Sequence, residues 1–239
     1  MESMEGLRKK VGRDYVKLYW RRIFKRKISI YLTWFLIQTP ITPNQVTFLM
    51  LITGLISAWF FTKGIYFYSL IAIFFLTLSS FLDACDGEVA RYRNKYSSNG
   101  TYLDLMVHII VDPLIILSIA IGIYLNNPSP IPNYVFLILG FLGMYGLLMS
   151  SIVKLKRYEL YVTSGEIEKL KKVHKEIIPP DTNNIKREIT EFIKIHKILN
   201  IVFFFGIFNL LSYLTIIYAI IFPLQAVINF ISIFKSKKL

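Results

Sequence analysis

Six apolar segments, each close to the length of a membrane-spanning helix, most constrain what this chain can fold into. A helix needs about 20 mostly apolar residues to cross the hydrocarbon core of a bilayer. The segments that meet or approach this length are 44–61, 66–82, 103–125, 134–153, 198–213 and 215–234. The last two form one continuous apolar run, which we divide near Ser212 because a single helix of that length would overshoot the membrane. The sequence therefore predicts an all-α integral membrane protein with six transmembrane helices.

The basic residues lie on one side of these segments. The chain has 28 Lys and Arg against 15 Asp and Glu, a formal net charge of +13. Six spans place every Lys and Arg except Lys63 on the same side of the membrane. Because cytoplasmic loops are enriched in Lys and Arg, both termini and this end of the bundle are predicted to be cytoplasmic. Once the apolar runs are removed, no polar domain large enough to bind nucleic acid remains, so a nucleic-acid partner is not expected.

The segments around the spans complete a single predicted membrane domain, 1–239. Its basic, aromatic-rich arm, 1–43, is predicted to contain an amphipathic helix lying in the membrane interface, because its apolar stretch is too short to span. Thr42 is the predicted N-cap of the first span, with Pro43 in the first turn. Four spans follow in 44–153, then a cytoplasmic loop at 154–197, and the last two spans with a basic tail at 198–239. Cys85 is the single cysteine, which excludes an intramolecular disulfide.

Four aspartates at the ends of the apolar spans or inside them are the candidates for chemistry. An unpaired carboxylate near the centre of a span costs about 2.5–3.5 kcal/mol, so bound cations are expected to neutralise these groups. Asp83 and Asp86 are three residues apart and share one face of the second helix. Asp104, His108 and Asp112 recur every four residues along the third helix. Two neighbouring helices could thus direct several oxygen ligands, which suit Mg²⁺ or Mn²⁺, at one volume near the cytoplasmic interface.

Small and basic residues accompany these acids on the second helix. Gly87 and Ala90 lack bulk, so a nucleotide could approach the helix backbone there. Arg91 offers a planar guanidinium that binds phosphate in a fork geometry.

Residues 83–108 resemble the signature of the CDP-alcohol phosphotransferase family. That signature is Asp-x-x-Asp-Gly-x-x-Ala-Arg, eight further residues, then Gly-x-x-x-Asp-x-x-x-Asp. Seven of its eight fixed positions are present here with the same spacing, from Asp83 to Asp104. The six-span layout and the Thr-Pro-Asn-Gln-Val-Thr sequence that begins the first span also resemble this family.

The resemblance implies transfer of a substituted phosphate group from a CDP-linked alcohol to an acceptor hydroxyl, with release of CMP. It implies that Asp83, Asp86 and Asp104 hold two divalent ions, Mg²⁺ or Mn²⁺, that bridge the pyrophosphate. The residues implied to surround the CDP group are Asp83, Asp86, Gly87, Ala90, Arg91 and Gly100, with Asn44 and Thr47 facing the same pocket. At least one substrate is expected to be a lipid, and either the donor or the acceptor could be that lipid.

His108 occupies the position of the family's last aspartate, which is assigned as a metal ligand and general base. Three interpretations are open. His108 is the base and also a possible metal ligand, because an imidazole with a pKa of about 6.5 suits proton abstraction; Asp112, one turn deeper, takes over that role; or the protein is a catalytically degenerate scaffold or transporter. The seven retained motif positions favour the first interpretation.

Three glycines recur at a spacing of three in the fourth span. Small residues on one helix face allow close approach of a neighbouring helix. Gly140, Gly143 and Gly146 therefore predict a tight contact, either with another span or with a second protomer in a homodimer.

Overall fold

The computed structural model describes residues 6–7, 11, 20–95, 97–126, 131–163 and 198–236. Among these residues, the regular structure is entirely helical. The helices are α1 (Trp20–Ile37), α2 (Pro43–Phe61), α3 (Tyr66–Tyr92), α4 (Ser98–Asn126), α5 (Asn133–Thr163), α6 (Ile198–Ile207) and α7 (Leu211–Ser236). Five of them, α2, α3, α4, α5 and α7, contain stretches long and apolar enough to cross a membrane. The protein is an all-α integral membrane protein, as predicted.

Three helices extend beyond their predicted apolar segments on the side that carries the motif. Helix α3 continues past residue 82 to Tyr92, α4 begins at Ser98 rather than at 103, and α5 continues past residue 153 to Thr163. Backbone hydrogen bonding within a helix does not require apolar side chains, so each helix persists after its apolar run ends. The motif residues therefore sit on regular helix rather than in a loop.

The beginning of α2 has the predicted cap. Thr42 Oγ1 accepts a hydrogen bond from the Gln45 backbone N–H, and Gln45 Oε1 accepts one from the Thr42 backbone N–H. This reciprocal pair is a capping box, and Pro43 occupies the first turn, where its missing N–H costs nothing. The prediction of a helix start at this point is confirmed.

Helices α2, α3 and α4 pack so that the motif residues lie at one end of the bundle. Helix α3 is antiparallel to α2, since Ser57 donates a hydrogen bond to the Ala72 carbonyl and Ser79 donates one to the Met50 carbonyl. Helix α4 is parallel to α2. A Cβ on Gly54 would meet Val111, one on Gly100 would meet Asn44, and one on Gly122 would meet the Phe61 carbonyl. The starts of α2 and α4 and the end of α3 are consequently neighbours.

Helices α5 and α7 run parallel, which requires the chain to return across the bilayer between them. Gly143 lies against Tyr218 and Gly146 against Pro223, and Asn229 donates a hydrogen bond to Ser150 at 2.7 Å. The described part of the return is α6, whose last carbonyl, that of Ile207, accepts a hydrogen bond from the Tyr66 hydroxyl at the start of α3. Within the described residues, the predicted fifth span is represented only by α6, which at ten residues is too short to cross a membrane, so the sixth crossing remains a prediction.

The predicted turn near Ser212 is wrong in position. Helix α6 ends at Ile207, and α7 begins at Leu211. Asn209 between them has a φ of 57°, a left-handed conformation that asparagine tolerates better than most residues and that ends the helix. The apolar run continues through this turn, so hydropathy alone could not locate it. The cytoplasmic loop predicted at 154–197 is a separate element. Its part from 164 to 197 lies outside the described residues.

Helix α1 docks one face against α3 and leaves aromatic side chains on the other. Ser29, Ile30 and Thr33 are buried, whereas Tyr31 and Phe35 are about 60% exposed. The helix is thus amphipathic, as predicted, and its buried face contacts the helix that bears the motif. Its location in the membrane interface remains a prediction.

The glycines of α5 pack against other helices of the same chain. A Cβ on Gly140 would lie 2.1 Å from Ala120 Cβ of α4, and one on Gly146 would lie 2.4 Å from the Pro223 nitrogen of α7. Of the two predicted partners, another span accounts for this close approach. The homodimer remains a prediction, and the glycine contacts described here do not require it.

Candidate active site

The end of α3 and the beginning of α4 bring two carboxylates and an imidazole together. His108 Nε2 lies 3.4 Å from Asp83 Oδ1 and 3.8 Å from Asp104 Oδ1. One potential ligand atom from each of the three residues lies within 4.8 Å of the others. In octahedral coordination at about 2.0–2.1 Å, ligand atoms are roughly 3–4 Å apart, so a small inward shift of these groups would accommodate one divalent ion. The donor set therefore fits a divalent metal.

Asp86, the other predicted ligand on α3, points at the start of α2. Its Oδ2 accepts a hydrogen bond of 2.9 Å from Thr47 Oγ1, and its Oδ1 accepts one from the Gly87 backbone N–H. Asp86 does not belong to the three-residue cluster, so its role as a metal ligand remains a prediction. The Thr47 contact places this threonine beside the motif, as the resemblance implied.

The ring of His108 is held between the carboxylate cluster and Asp112. His108 Nδ1 lies 3.5 Å from Asp112 Oδ2, while Nε2 faces Asp83 and Asp104. Side-chain exposure falls from 42% for Asp104 through 33% for His108 to 17% for Asp112, so Asp112 is the deepest of the three groups on α4. The carboxylate of Asp112 at Nδ1 orients the ring so that Nε2 is directed at Asp83 and Asp104.

The predicted nucleotide-binding residues lie beside this cluster. The nearest atoms to a Cβ on Gly87 would be those of the Arg91 guanidinium, from 3.3 Å, so the side chain of Arg91 lies beside the Gly87 backbone. A Cβ on Gly100 would lie 3.0 Å from Asn44 Oδ1, which places Asn44 at the start of α4. Ala90 is half-buried on α3. All eight residues predicted to surround CDP therefore lie on the adjoining ends of α2, α3 and α4.

Sequence reasoning missed a third carboxylate on the motif helix, Glu88. Glu88 is 4% exposed and accepts hydrogen bonds from the hydroxyls of Ser29 and Thr33 on α1. A signal was present in the sequence, because Glu88 falls on the same stripe of α3 as the buried residues Cys85 and Leu82. An acid on a buried face predicts a specific polar partner.

Comparison with known proteins assigns the class that this fold and site suggest. The profile of the CDP-alcohol phosphatidyltransferase family matches residues 40–231, which include α2 to α6 and most of α7. The chain belongs to this family. The predicted resemblance is confirmed.

Two archaeal proteins are similar to parts of the chain. An archaetidylinositol phosphate synthase of Pyrococcus horikoshii is 39% identical over 83 residues, which are 34% of this chain and 42% of that protein. A bifunctional IPC transferase and DIPP synthase of Archaeoglobus fulgidus is 34% identical over 100 residues, which are 42% of this chain and 19% of that protein. The chain thus matches less than half the length of either relative.

Proposed function

We propose that the protein transfers a substituted phosphate group from a CDP-alcohol to an acceptor hydroxyl and releases CMP. The observation that carries this proposal is the convergence of Asp83, Asp104 and His108 at the motif positions of a family defined by this chemistry. The acceptor oxygen attacks the β-phosphorus of the donor. The new bond joins phosphorus to the acceptor oxygen, and the bond to CMP breaks.

In this proposal, Asp83 and Asp104 hold divalent metal, and Asp86 contributes from its place beside Thr47. Nε2 of His108 is not a metal ligand in this proposal, because that nitrogen takes up the proton of the acceptor. Mg²⁺ or Mn²⁺, when bound, neutralises charge on the pyrophosphate. Arg91 binds a phosphate oxygen, and Gly87, which has no side chain, leaves room for the nucleotide beside the guanidinium. Asn44 and Gly100 form the border of the same pocket.

We assign proton removal from the acceptor hydroxyl to His108, with Asp112 as the group that orients its ring. The position of Asp112 at Nδ1 supports this assignment over one in which Asp112 itself is the base, because Asp112 is the more deeply placed of the two. The proton passes from the acceptor oxygen to Nε2. An orienting carboxylate behind a catalytic imidazole is a recurring arrangement in proteins.

The proposed location of this site is the cytoplasmic face of the membrane. Asp83 and Asp104 lie at the same end of the bundle as the basic residues Arg91, Arg93 and Lys95, which are at or just after the end of α3. Cytoplasmic ends of membrane helices carry the excess of basic residues. A site at the membrane surface suits a reaction in which at least one substrate is a lipid. We therefore place the reaction in phospholipid synthesis, in line with the archaeal relative named as an archaetidylinositol phosphate synthase.

The test is release of CMP by the purified protein in detergent, with Mg²⁺ or Mn²⁺. The donors are CDP-linked lipids and CDP-linked polar alcohols, and the acceptors include an inositol phosphate and a lipid hydroxyl. We expect metal-dependent CMP release from at least one pair, and Asp83→Asn should lose metal-dependent nucleotide binding. No CMP from any donor, together with no metal-dependent nucleotide binding, would favour the degenerate scaffold or transporter.

The assignment of the base has its own test. His108→Ala should abolish turnover while nucleotide binding persists. Asp112→Asn should reduce turnover less, because the imidazole remains present. If His108→Ala is active and Asp112→Asn is not, the two roles are exchanged.

A further inference from the structure

Glu88 is a buried carboxylate on the motif helix that the proposed reaction does not use. Successive residues of a helix are about 100° apart, so Glu88 points about 140° away from Asp83 and about 160° away from Asp86. Its side chain therefore lies on the back of α3, where it cannot touch a substrate held by those aspartates. Any influence on the site must act through the helix itself.

Both oxygens of this carboxylate are bound by α1. Ser29 Oγ donates to Oε1 at 2.8 Å, and Thr33 Oγ1 donates to Oε2 at 2.6 Å. Both hydroxyl residues are fully buried, and they are one helical turn apart, so they meet the two oxygens from successive turns of α1. The contact consequently restrains both the rotation and the axial position of one helix against the other.

Two further contacts hold the same stretch of α3 to the segment around α1. The Cys85 thiol lies 3.6 Å from the Ser29 carbonyl, and Arg93 donates to the carbonyls of Thr39 and Pro40 in the connection between α1 and α2. The motif helix is therefore bound before and after Glu88. Apolar packing around Ile30 also joins the helices, but apolar contacts do not specify direction as hydrogen bonds do.

We propose that Glu88 is a positioning residue, which fixes the rotation of α3 through Ser29 and Thr33. It thereby directs Asp83 toward α4 and Asp86 toward Thr47 of α2. Side-chain ends lie about 5–6 Å from a helix axis, so a rotation of about 10° moves a carboxylate by about 1 Å. Functional groups must be held within about 0.5 Å of their productive geometry. A loosened α1 would thus disturb metal binding without removing any ligand. This inference rests on the proposed metal site.

The experiment measures the affinity of the detergent-purified full chain for Mn²⁺ in the presence of CDP, by electron paramagnetic resonance of the free ion, alongside thermal unfolding. Glu88→Gln keeps the size of the side chain but replaces one acceptor with a donor. A second variant, with Ser29→Ala, Thr33→Val and Glu88→Met together, replaces the network with apolar groups, which often preserves stability. Ser57→Ala is the control, because Ser57 is also fully buried and donates to a carbonyl of α3, that of Ala72, far from the motif.

We expect both Glu88 variants to bind Mn²⁺ about tenfold more weakly, the lower end of the range found when groups supporting metal ligands are changed. Ser57→Ala should bind Mn²⁺ as the unchanged protein does. Wild-type affinity in the folded Glu88 variants overturns the positioning role and leaves the metal site standing. Absence of Mn²⁺ binding in the unchanged protein overturns the metal site and this inference with it. If neither Glu88 variant folds, the network is a folding requirement, and the positioning role is rejected.

Discussion

Replacement of Thr47 by valine removes one hydroxyl that links α2 to the motif. Thr47 is 2% exposed, and its hydroxyl donates to Asp86 Oδ2 at 2.9 Å while lying 3.2 Å from the Pro43 carbonyl. Valine has nearly the same shape, so the substitution removes the hydrogen bond and little else. We expect a weaker hold on the metal and nucleotide, because Asp86 loses the donor that orients it.

The size of the effect follows from the charge on the acceptor. A hydrogen bond to a charged group contributes about 1.5–3 kcal/mol, which corresponds to roughly 10- to 150-fold in an equilibrium constant. Loss of a group that orients a metal ligand typically costs about 10- to 100-fold in metal affinity or activity. The two ranges agree. We therefore expect Thr47→Val to weaken metal-dependent CDP binding by about 10- to 100-fold.

The matched control is Thr53→Val on the same helix. Thr53 Oγ1 donates to the carbonyls of Leu49 and Met50, so this substitution also removes a hydroxyl bound to α2 backbone but touches no motif carboxylate. Calorimetric titration of CDP in the presence of Mn²⁺, on both variants and the unchanged protein, makes the comparison. Equal affinities for Thr47→Val and Thr53→Val would refute the idea that Thr47 acts on the site through Asp86.

Two other predictions concern the stability of the bundle. Gly146→Ala should destabilise the protein by about 1–3 kcal/mol, because the new Cβ would lie 2.4 Å from the Pro223 backbone nitrogen. Gly143→Ala should cost less, because the nearest contact of its Cβ is the Ile116 methyl at 3.3 Å. Thermal unfolding in detergent ranks the two variants, and the reverse order would contradict this packing. Thr42→Ala should lower the free energy of unfolding by about 1 kcal/mol through loss of the helix cap. Thr42→Ser keeps the hydroxyl, so its unfolding temperature should be close to that of the unchanged protein. Equal losses in both variants would exclude the cap as the cause.

Local features of the chain were predictable because their causes lie within a few residues. The capping box at Thr42 depends on a side chain and a backbone N–H three positions apart. The shared face of Asp83 and Asp86 depends on the helical repeat alone. The same repeat placed His108 and Asp112 on one stripe, and the structure finds them in contact.

The turn between α6 and α7 was mislocated for the opposite reason. Hydropathy is continuous from α6 through the turn into α7, and no charge, proline or glycine marks residues 208–210. The turn is recognisable from the left-handed backbone of Asn209. A single asparagine in an apolar run does not by itself predict such a turn.

The sequence by itself determined that this chain crosses a membrane, that the motif lies at the end of the spans where the basic residues collect, and that Asp83, Asp86, Asp104 and His108 are spaced to meet on neighbouring helices. Only the tertiary structure decided that Thr47 binds Asp86, that α1 binds Glu88, and that the glycines of α5 face α4 and α7. Periodicity shows which side chains share a face of one helix, because that depends on covalent geometry. Which helix that face meets depends on how the whole bundle packs, over separations such as the 39 residues between Thr47 and Asp86.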